Sequence, residues 1–183
     1  PSGKGKFTVV TLYIDKTTWL PGVPVLQLDD CKENIIIDIL YHHHLPDEKI
    51  SYLNHPQEGS MISLASRIHL SKNTKNIDLF QIMGTRYVSF IFRENLQTVP
   101  VKLYWRSAVY PMKITGNFSS SDEVLNEIYK ISVHTQQVCS MDTFVDTCWR
   151  EQSQWWGDAR VQAKNTIFLT GKSDLLSSGK KSI

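Results

Sequence analysis

The spacing of the apolar residues changes near Pro111, and this change constrains the fold more than any other feature of the sequence. Before Pro111, short runs rich in β-branched and aromatic residues alternate with turn-forming segments, which is typical of strands. After it, apolar residues recur at the spacing of an amphipathic helix. We therefore expect an all-β domain over residues 1–112 and a helical segment over residues 113–183.

The first part of the chain predicts an antiparallel β-sandwich. Segments rich in Gly, Pro, Asn and Asp, such as residues 20–24 and 45–47, are interpreted as turns between the strands, and residues 71–76 as a polar loop. Residues 86–92 are apolar on both alternating faces, so that strand should lie inside the fold, between layers. The predicted strands are residues 7–14, 35–40, 61–70, 86–92 and 101–104.

Two helices are predicted in the second part. Ser120 with Glu123 three residues later forms a capping box, followed by an apolar repeat that predicts a helix over residues 121–138. A second helical pattern begins near Gln152 and should end at Gly171, a residue suited to the left-handed position after a helix. Because the chain does not begin with Met and ends in a polar stretch just after a helical pattern, we expect both ends to be cuts in a longer polypeptide.

Composition excludes several classes of function. The 20 Lys and Arg residues nearly balance the 18 Asp and Glu residues, so a nucleic acid or an anionic membrane is not expected as a partner. No run of 18 apolar residues and no signal-peptide core is present, which predicts a soluble chain. The sequence does not indicate its cellular compartment. The three cysteines are far apart and odd in number, and they predict buried thiols rather than disulfides or a metal site: Cys31, Cys139 and Cys148.

The chemistry is concentrated in residues 142–160. These nineteen residues contain four acids, two arginines and three tryptophans. The flat apolar face of tryptophan matches the C–H face of a sugar ring, while carboxylates and guanidinium groups bind its hydroxyls. A helix beginning near Glu151 would place Trp155 and Asp158 on the same face as that carboxyl group. The alternative is a solvated ion-pair face, with the tryptophans packing the helix against a neighbour.

The same segment resembles the signature of glycoside hydrolase family 78, the bacterial-type α-L-rhamnosidases. The resemblance extends to Gly84-Thr85-Arg86-Tyr87-Val88, which is similar to the last strand of that family's sandwich, and to residues 116–129, which are similar to the lead-in to its barrel. Thr147-Cys148 replaces the family's Cys-Pro. The signature residues are Asp146, Arg150, Glu151, Trp155, Gly157, Asp158 and Ala159.

The resemblance implies a β-sandwich followed by the first helices of an (α/α)₆ catalytic barrel. It implies that Glu151 is the general acid of an inverting glycosidase, that Asp146, Arg150 and Asp158 bind rhamnose hydroxyls, and that Trp155 forms a wall against the sugar. No metal or cofactor is implied. The substrates would be rhamnose-containing glycosides or polysaccharides.

An inverting mechanism also needs a general base, and no residue of the chain matches it. We therefore expect the remainder of the barrel to supply the base, and the isolated chain to be inactive.

Two other functions stay open at this point. The sandwich could be a non-catalytic carbohydrate-binding module, for which exposed aromatic residues on one face would be needed, with Tyr41, Tyr52 and Tyr104 as candidates. The helical segment could instead belong to a six-hairpin glycosidase specific for another sugar, which would keep the acid and change the pocket. Cys148 could be an activated thiol, but no histidine lies near it in sequence, so a packing role is preferred.

Overall fold

The computed structural model describes residues 8–14, 18–28, 34–42, 64–92 and 101–179. The chain forms two compact units, residues 1–106 and 107–183. The first unit contains β-strands and the second contains the helices, as the change in periodicity predicts. The strands are β1 (Thr8–Tyr13), β2 (Leu20–Leu28), β3 (Ile35–His42), β4 (Ala65–Leu70), β5 (Asn76–Asp78), β6 (Met83–Thr85), β7 (Tyr87–Phe92) and β8 (Val101–Ser107).

The first unit contains two sheets. One is four-stranded and antiparallel, with the strand order β1-β7-β3-β4. In the other, β2 pairs with β5, β6 and β8. The sheets meet where Tyr41 of β3 packs edge to face against Trp105 of β8, with ring centroids 6.5 Å apart. This is the all-β sandwich architecture that was predicted.

Strand β7 lies in the interior, and this prediction is confirmed. It pairs with β1 on one side and β3 on the other. Val88 and Ser89 point to opposite faces, yet both side chains have no exposed surface. Burial on both faces explains why the strand reads as a nearly continuous apolar run.

The interpretation of residues 20–24 as a turn is wrong, because they form the start of β2, a buried strand. Proline lacks a backbone N–H, but its carbonyl group still accepts hydrogen bonds, and the carbonyl of Pro24 accepts one from the N–H of Leu79 at 3.3 Å. Gly22 leaves room for Trp105, whose indole would collide with any side chain at this position. The prolines and the glycine are therefore packing residues of a strand.

The candidate aromatic face of the sandwich is not formed as predicted. Tyr41 is buried, and its hydroxyl group contacts the Ser66 hydroxyl group at 3.4 Å. Tyr104 is exposed, and Tyr52 lies outside the described residues. Because Tyr41 is unavailable to a ligand, the prediction for that residue is wrong.

The second unit contains α1 (Glu123–Val138), α2 (Trp156–Thr170) and α3 (Asp174–Gly179). The first helix lies where it was predicted, but its N-cap is Asp122, whose side chain accepts a hydrogen bond from the Val124 N–H at 2.9 Å. Ser120 is not the cap, because its hydroxyl oxygen accepts a hydrogen bond from the Asp122 N–H instead. A carboxylate at the N-cap also interacts favourably with the helix dipole.

The second helix ends as predicted and begins later than predicted. Gly171 adopts a left-handed conformation (φ 69°), and its N–H donates to the Ile167 carbonyl group. The first helical residue is Trp156, so Glu151 lies before the helix. The core of this unit is formed by Phe144, Ala159, Ala163 and Leu175, with Tyr110, Met112 and Leu176 packed against it.

The apolar stripe of α1 is exposed. Four of the six side chains whose spacing predicted the helix are between 44% and 65% accessible, whereas Val138 is buried: Val124, Leu125, Ile128 and Ile131. The helix is therefore present with most of its predicted apolar face uncovered by the described part of the chain. No described helix is both long and apolar enough to cross a bilayer.

Candidate active site

The residues with the strongest sequence signal lie in a closed turn, residues 146–153, which we call the site turn. Two hydrogen bonds join its ends: the Asp146 N–H donates to the Ser153 carbonyl group at 3.0 Å, and the Ser153 N–H donates to Asp146 Oδ1 at 2.9 Å. The Asp146 side chain is thereby fixed at the start of the turn, half-buried. Glu151 lies within the turn and is exposed.

Asp146 and Glu151 form a carboxyl pair through a side-chain hydrogen bond. This hydrogen bond and the charge of Asp146 raise the pKa of Glu151, with a smaller contribution from burial. Burial acts to raise the pKa of Asp146 as well, but the hydrogen bonds from Glu151 and from the N–H groups of Ser153 and Thr147 outweigh it, and the pKa is lowered. The interaction therefore moves the two pKa values apart, with the pKa of Glu151 raised and that of Asp146 lowered.

Burial among the tryptophans is not the main cause of the raised pKa of Glu151. Trp155 and Trp156 are about half exposed, at 54% and 51%. The neighbouring carboxylate raises the pKa of Glu151 more than burial does. Arg150 acts in the opposite direction, since its charge lowers the pKa of Glu151, and this is the smallest of the effects.

Trp155 and Asp158 lie at the start of α2. Trp155 is the N-cap residue, with its side chain free of any capping hydrogen bond, and Asp158 is exposed in the first turn. The expectation that a single helix carries Glu151, Trp155 and Asp158 on one face is wrong, because the chain is not helical between Glu151 and Trp155. The structure thus pairs Asp146 with Glu151, places Arg150 near that pair, and presents Trp155 and Asp158 on the adjoining helix end.

Two residues of the site turn are buried and anchor it in the protein interior. Cys148 is 2% exposed, and burial raises its pKa to about 12, so its thiol is a packing group rather than a nucleophile. Trp149 is also buried. Cys139 is likewise a buried free thiol, as predicted, whereas Cys31 lies outside the described residues.

Three residues that position the site were missed by sequence reasoning. Ser153 holds the Asp146 carboxylate through its backbone N–H, which leaves no signal in the side chain. Gln162 of α2 donates from Nε2 to the Val145 carbonyl group at 2.9 Å, which ties the start of the turn to the helix. Gln152 has a left-handed backbone, with φ 52°, and glutamine is not a residue type that signals this conformation.

The described residues contain no cluster of three or more His, Cys, Asp or Glu side chains arranged to bind a metal ion. Glu151 and Asp146 share a hydrogen bond, so the chemistry that the site turn offers is that of a carboxyl pair. A carboxyl group whose pKa is raised by a neighbouring carboxylate is suited to general acid catalysis.

Known proteins that are similar to this chain are rhamnosidases. The family described as the bacterial α-L-rhamnosidase six-hairpin glycosidase domain matches residues 113–179. A family 78 rhamnosidase of Bacillus sp. GL1 is 25% identical, with a TM-score of 0.71 over 96% of this chain and 18% of its own. A rhamnosidase from Klebsiella oxytoca with rhamnose bound is 18% identical, with a TM-score of 0.63 over 95% of this chain and 35% of its own. No curated protein matches the chain.

The family match includes the whole site turn and all of α1 and α2. The structural match to the Bacillus rhamnosidase covers nearly the full chain, including the sandwich. The chain nevertheless spans only 18% and 35% of the lengths of the two rhamnosidases. Residues 113–179 are thus similar to the bacterial α-L-rhamnosidase six-hairpin glycosidase domain, and the chain as a whole is similar in fold to part of the Bacillus family 78 rhamnosidase.

Proposed function

We propose that this chain supplies the general-acid half of an inverting α-L-rhamnosidase site, with Glu151 as the acid. The observation that carries the proposal is the hydrogen bond between Glu151 and Asp146, because it raises the pKa of Glu151, the more exposed carboxyl group of the pair. An acid that must protonate a leaving group near neutral pH needs a raised pKa. Exposure of Glu151 leaves the group accessible to a substrate.

The pair also suggests how the proton reaches the substrate. In the free site the Glu151 hydroxyl group donates to the Asp146 carboxylate. When a rhamnoside binds, the glycosidic oxygen replaces Asp146 as the acceptor of that proton, and the Asp146 carboxylate becomes free to accept a hydrogen bond from a sugar hydroxyl group. The roles inferred from sequence remain proposals: Asp146, Arg150 and Asp158 bind hydroxyl groups, and Trp155 packs against the sugar.

The general base is proposed to lie outside this chain. In inverting glycosidases the two carboxyl groups stand about 6.5–9.5 Å apart, which leaves room for the attacking water. Asp146 is within hydrogen-bond distance of Glu151, and this separation is too short for a water molecule between them. The remainder of the six-hairpin domain would provide the base and complete the pocket.

We expect the isolated 183-residue chain to hydrolyse p-nitrophenyl α-L-rhamnoside no faster than buffer. The same chain continued through a complete six-hairpin domain, here called the extended polypeptide, should hydrolyse it. Release of p-nitrophenol, compared between the two, is the measurement. Turnover by the isolated chain would show that the base is present within it.

A panel of p-nitrophenyl glycosides tests the sugar. Rhamnose is proposed because the two similar structures named above are rhamnosidases and one of them has rhamnose bound. If the folded extended polypeptide hydrolysed a different glycoside and left the rhamnoside intact, the acid would stand and the specificity would be wrong.

The Asp146→Asn variant of the extended polypeptide should lose activity at lower pH than the wild type on the alkaline side of its pH profile. The general acid works only while it is protonated, so activity falls as pH rises through the pKa of Glu151. The substituted amide carries no charge, and removal of the charge that raises this pKa moves the fall to lower pH. The measurement is kcat/KM against pH.

Glu127→Gln is the matched control for Asp146→Asn, because it removes an exposed carboxylate that pairs with Lys130 on α1. Its alkaline limb should coincide with that of the wild type. An alkaline limb that stays in place in Asp146→Asn would show that Asp146 does not control the proton of Glu151.

A further inference from the structure

The conformation of Gln152 is unusual within the described chain. Its φ of 52° lies in the left-handed region, and among the described non-glycine residues only Asn73 also has a positive φ. Asparagine adopts this region fairly readily, whereas glutamine does so rarely and at a cost. A left-handed glutamine is retained when surrounding contacts stabilise it.

Contacts on both sides of Gln152 provide that stabilisation. Its side-chain amide donates from Nε2 to the Cys148 carbonyl group at 2.9 Å. Cys148 is buried, so the acceptor is fixed by the core of the unit. The next residue, Ser153, forms the two hydrogen bonds with Asp146 that close the site turn. Gln152 is therefore the point at which the chain reverses direction and returns to Asp146.

The glutamate of the carboxyl pair directly precedes this reversal. Glu151 is the last residue of the turn over residues 148–151, and the left-handed Gln152 follows it directly. Rotation at residue 152 would change the direction of the Ser153 N–H and, with it, the hold on the Asp146 carboxylate. The positions of Glu151 and Asp146 thus depend on the φ angle of Gln152 and on the hydrogen bond from its amide to the Cys148 carbonyl group.

We propose that Gln152 is a positioning residue that holds Glu151 against Asp146 through its left-handed backbone and its amide hydrogen bond to the Cys148 carbonyl group. Its importance for catalysis rests on the proposed function of Glu151. The geometric claim, that Gln152 maintains the carboxyl pair, is independent of any substrate.

The test separates the side chain from the backbone. Gln152→Gly removes the amide and still tolerates the left-handed conformation, whereas Gln152→Ala removes the amide and disfavours that conformation. The midpoint of the pH titration of the Glu151 carboxyl group is measured by carbon-detected NMR in the 183-residue chain. We expect a lower titration midpoint in Gln152→Gly than in the wild type, and a still lower one in Gln152→Ala. The Asp146→Asn chain is the reference for complete loss of the pair.

Gln154→Ala is the matched control, because this half-buried amide has no hydrogen bond to the site turn among the described contacts. Its Glu151 midpoint should equal that of the wild type, and circular dichroism should show that every variant is folded. A wild-type midpoint in both Gln152 variants would overturn the inference. This measurement does not depend on enzymatic activity. A lowered midpoint in the Gln152 variants, combined with an inactive extended polypeptide, would support the positioning role of Gln152 and contradict only the proposed function.

Discussion

Replacement of Glu151 by Gln in the extended polypeptide should reduce kcat for rhamnoside hydrolysis about 10²- to 10⁴-fold, the range typical of a lost general acid. The amide has nearly the same size as the carboxyl group but cannot release a proton to the leaving oxygen. Because the Glu151 side chain is exposed and outside the core, the variant should fold like the wild type. Steady-state kinetics and thermal unfolding together measure the two effects.

The leaving group distinguishes a general acid from a residue that only binds substrate. p-Nitrophenolate departs with little help from a proton, whereas an alkyl alcohol departs only when it is protonated. The loss in Glu151→Gln should therefore be much greater for an alkyl rhamnoside than for the p-nitrophenyl rhamnoside. Equal losses on both substrates would mean that Glu151 is not the acid, and Glu127→Gln should show a loss on neither.

The elements with a clear periodicity could be predicted from the sequence, and those whose residue types conflict with their structure could not. The apolar run of β7 and the glycine that ends α2 were both interpreted correctly. Strand β2 was missed because Pro21, Gly22 and Pro24 are typical turn residues. The need for a glycine there is explained by the neighbouring strand β8, because the Trp105 indole and the Arg106 carbonyl group occupy the space that a side chain would need. Such a long-range contact leaves no local signal.

The candidate site shows the same division. The spacing of acids and tryptophans indicated where the chemistry lies, but the assumed continuous helix placed Glu151 on the wrong element. The helix begins only at Trp156 because the left-handed Gln152 and the hydrogen bonds of Ser153 hold the preceding residues in a turn. These are properties of the backbone, and the residue types of Gln152 and Ser153 do not indicate them. The carboxyl pair could therefore not be predicted from the order of residues alone.

Phe144→Ala should be the most destabilising single change in the second unit. Phe144 is 2% exposed and packs in the cluster that also contains Ala159, Ala163 and Leu175. The two alanines lie four residues apart on α2, and their small size makes room for the ring. Loss of a buried phenylalanine side chain costs about 3–5 kcal/mol, part of it from the cavity that remains.

Urea unfolding of the 183-residue chain, followed by the helical circular dichroism signal, measures this loss, since all described helices lie in the second unit. Phe168→Ala is the matched control, because the same ring on α2 is 81% exposed and its removal should change the free energy of unfolding by less than about 0.5 kcal/mol. Similar losses in the two variants would show that the ring of Phe144 is not part of a packed core.

Phe144→Ala should also weaken the interaction between Asp146 and Glu151. Phe144 lies two residues before Asp146, and the carbonyl group of the intervening Val145 accepts the hydrogen bond from Gln162. A cavity beneath residue 144 would let this segment move relative to α2, and the start of the site turn would move with it. At urea concentrations where Phe144→Ala remains folded, we expect a lower Glu151 midpoint than in the wild type, measured by NMR of the carboxyl group. An unchanged midpoint would show that the site turn is held by its own hydrogen bonds, independently of the packing below it.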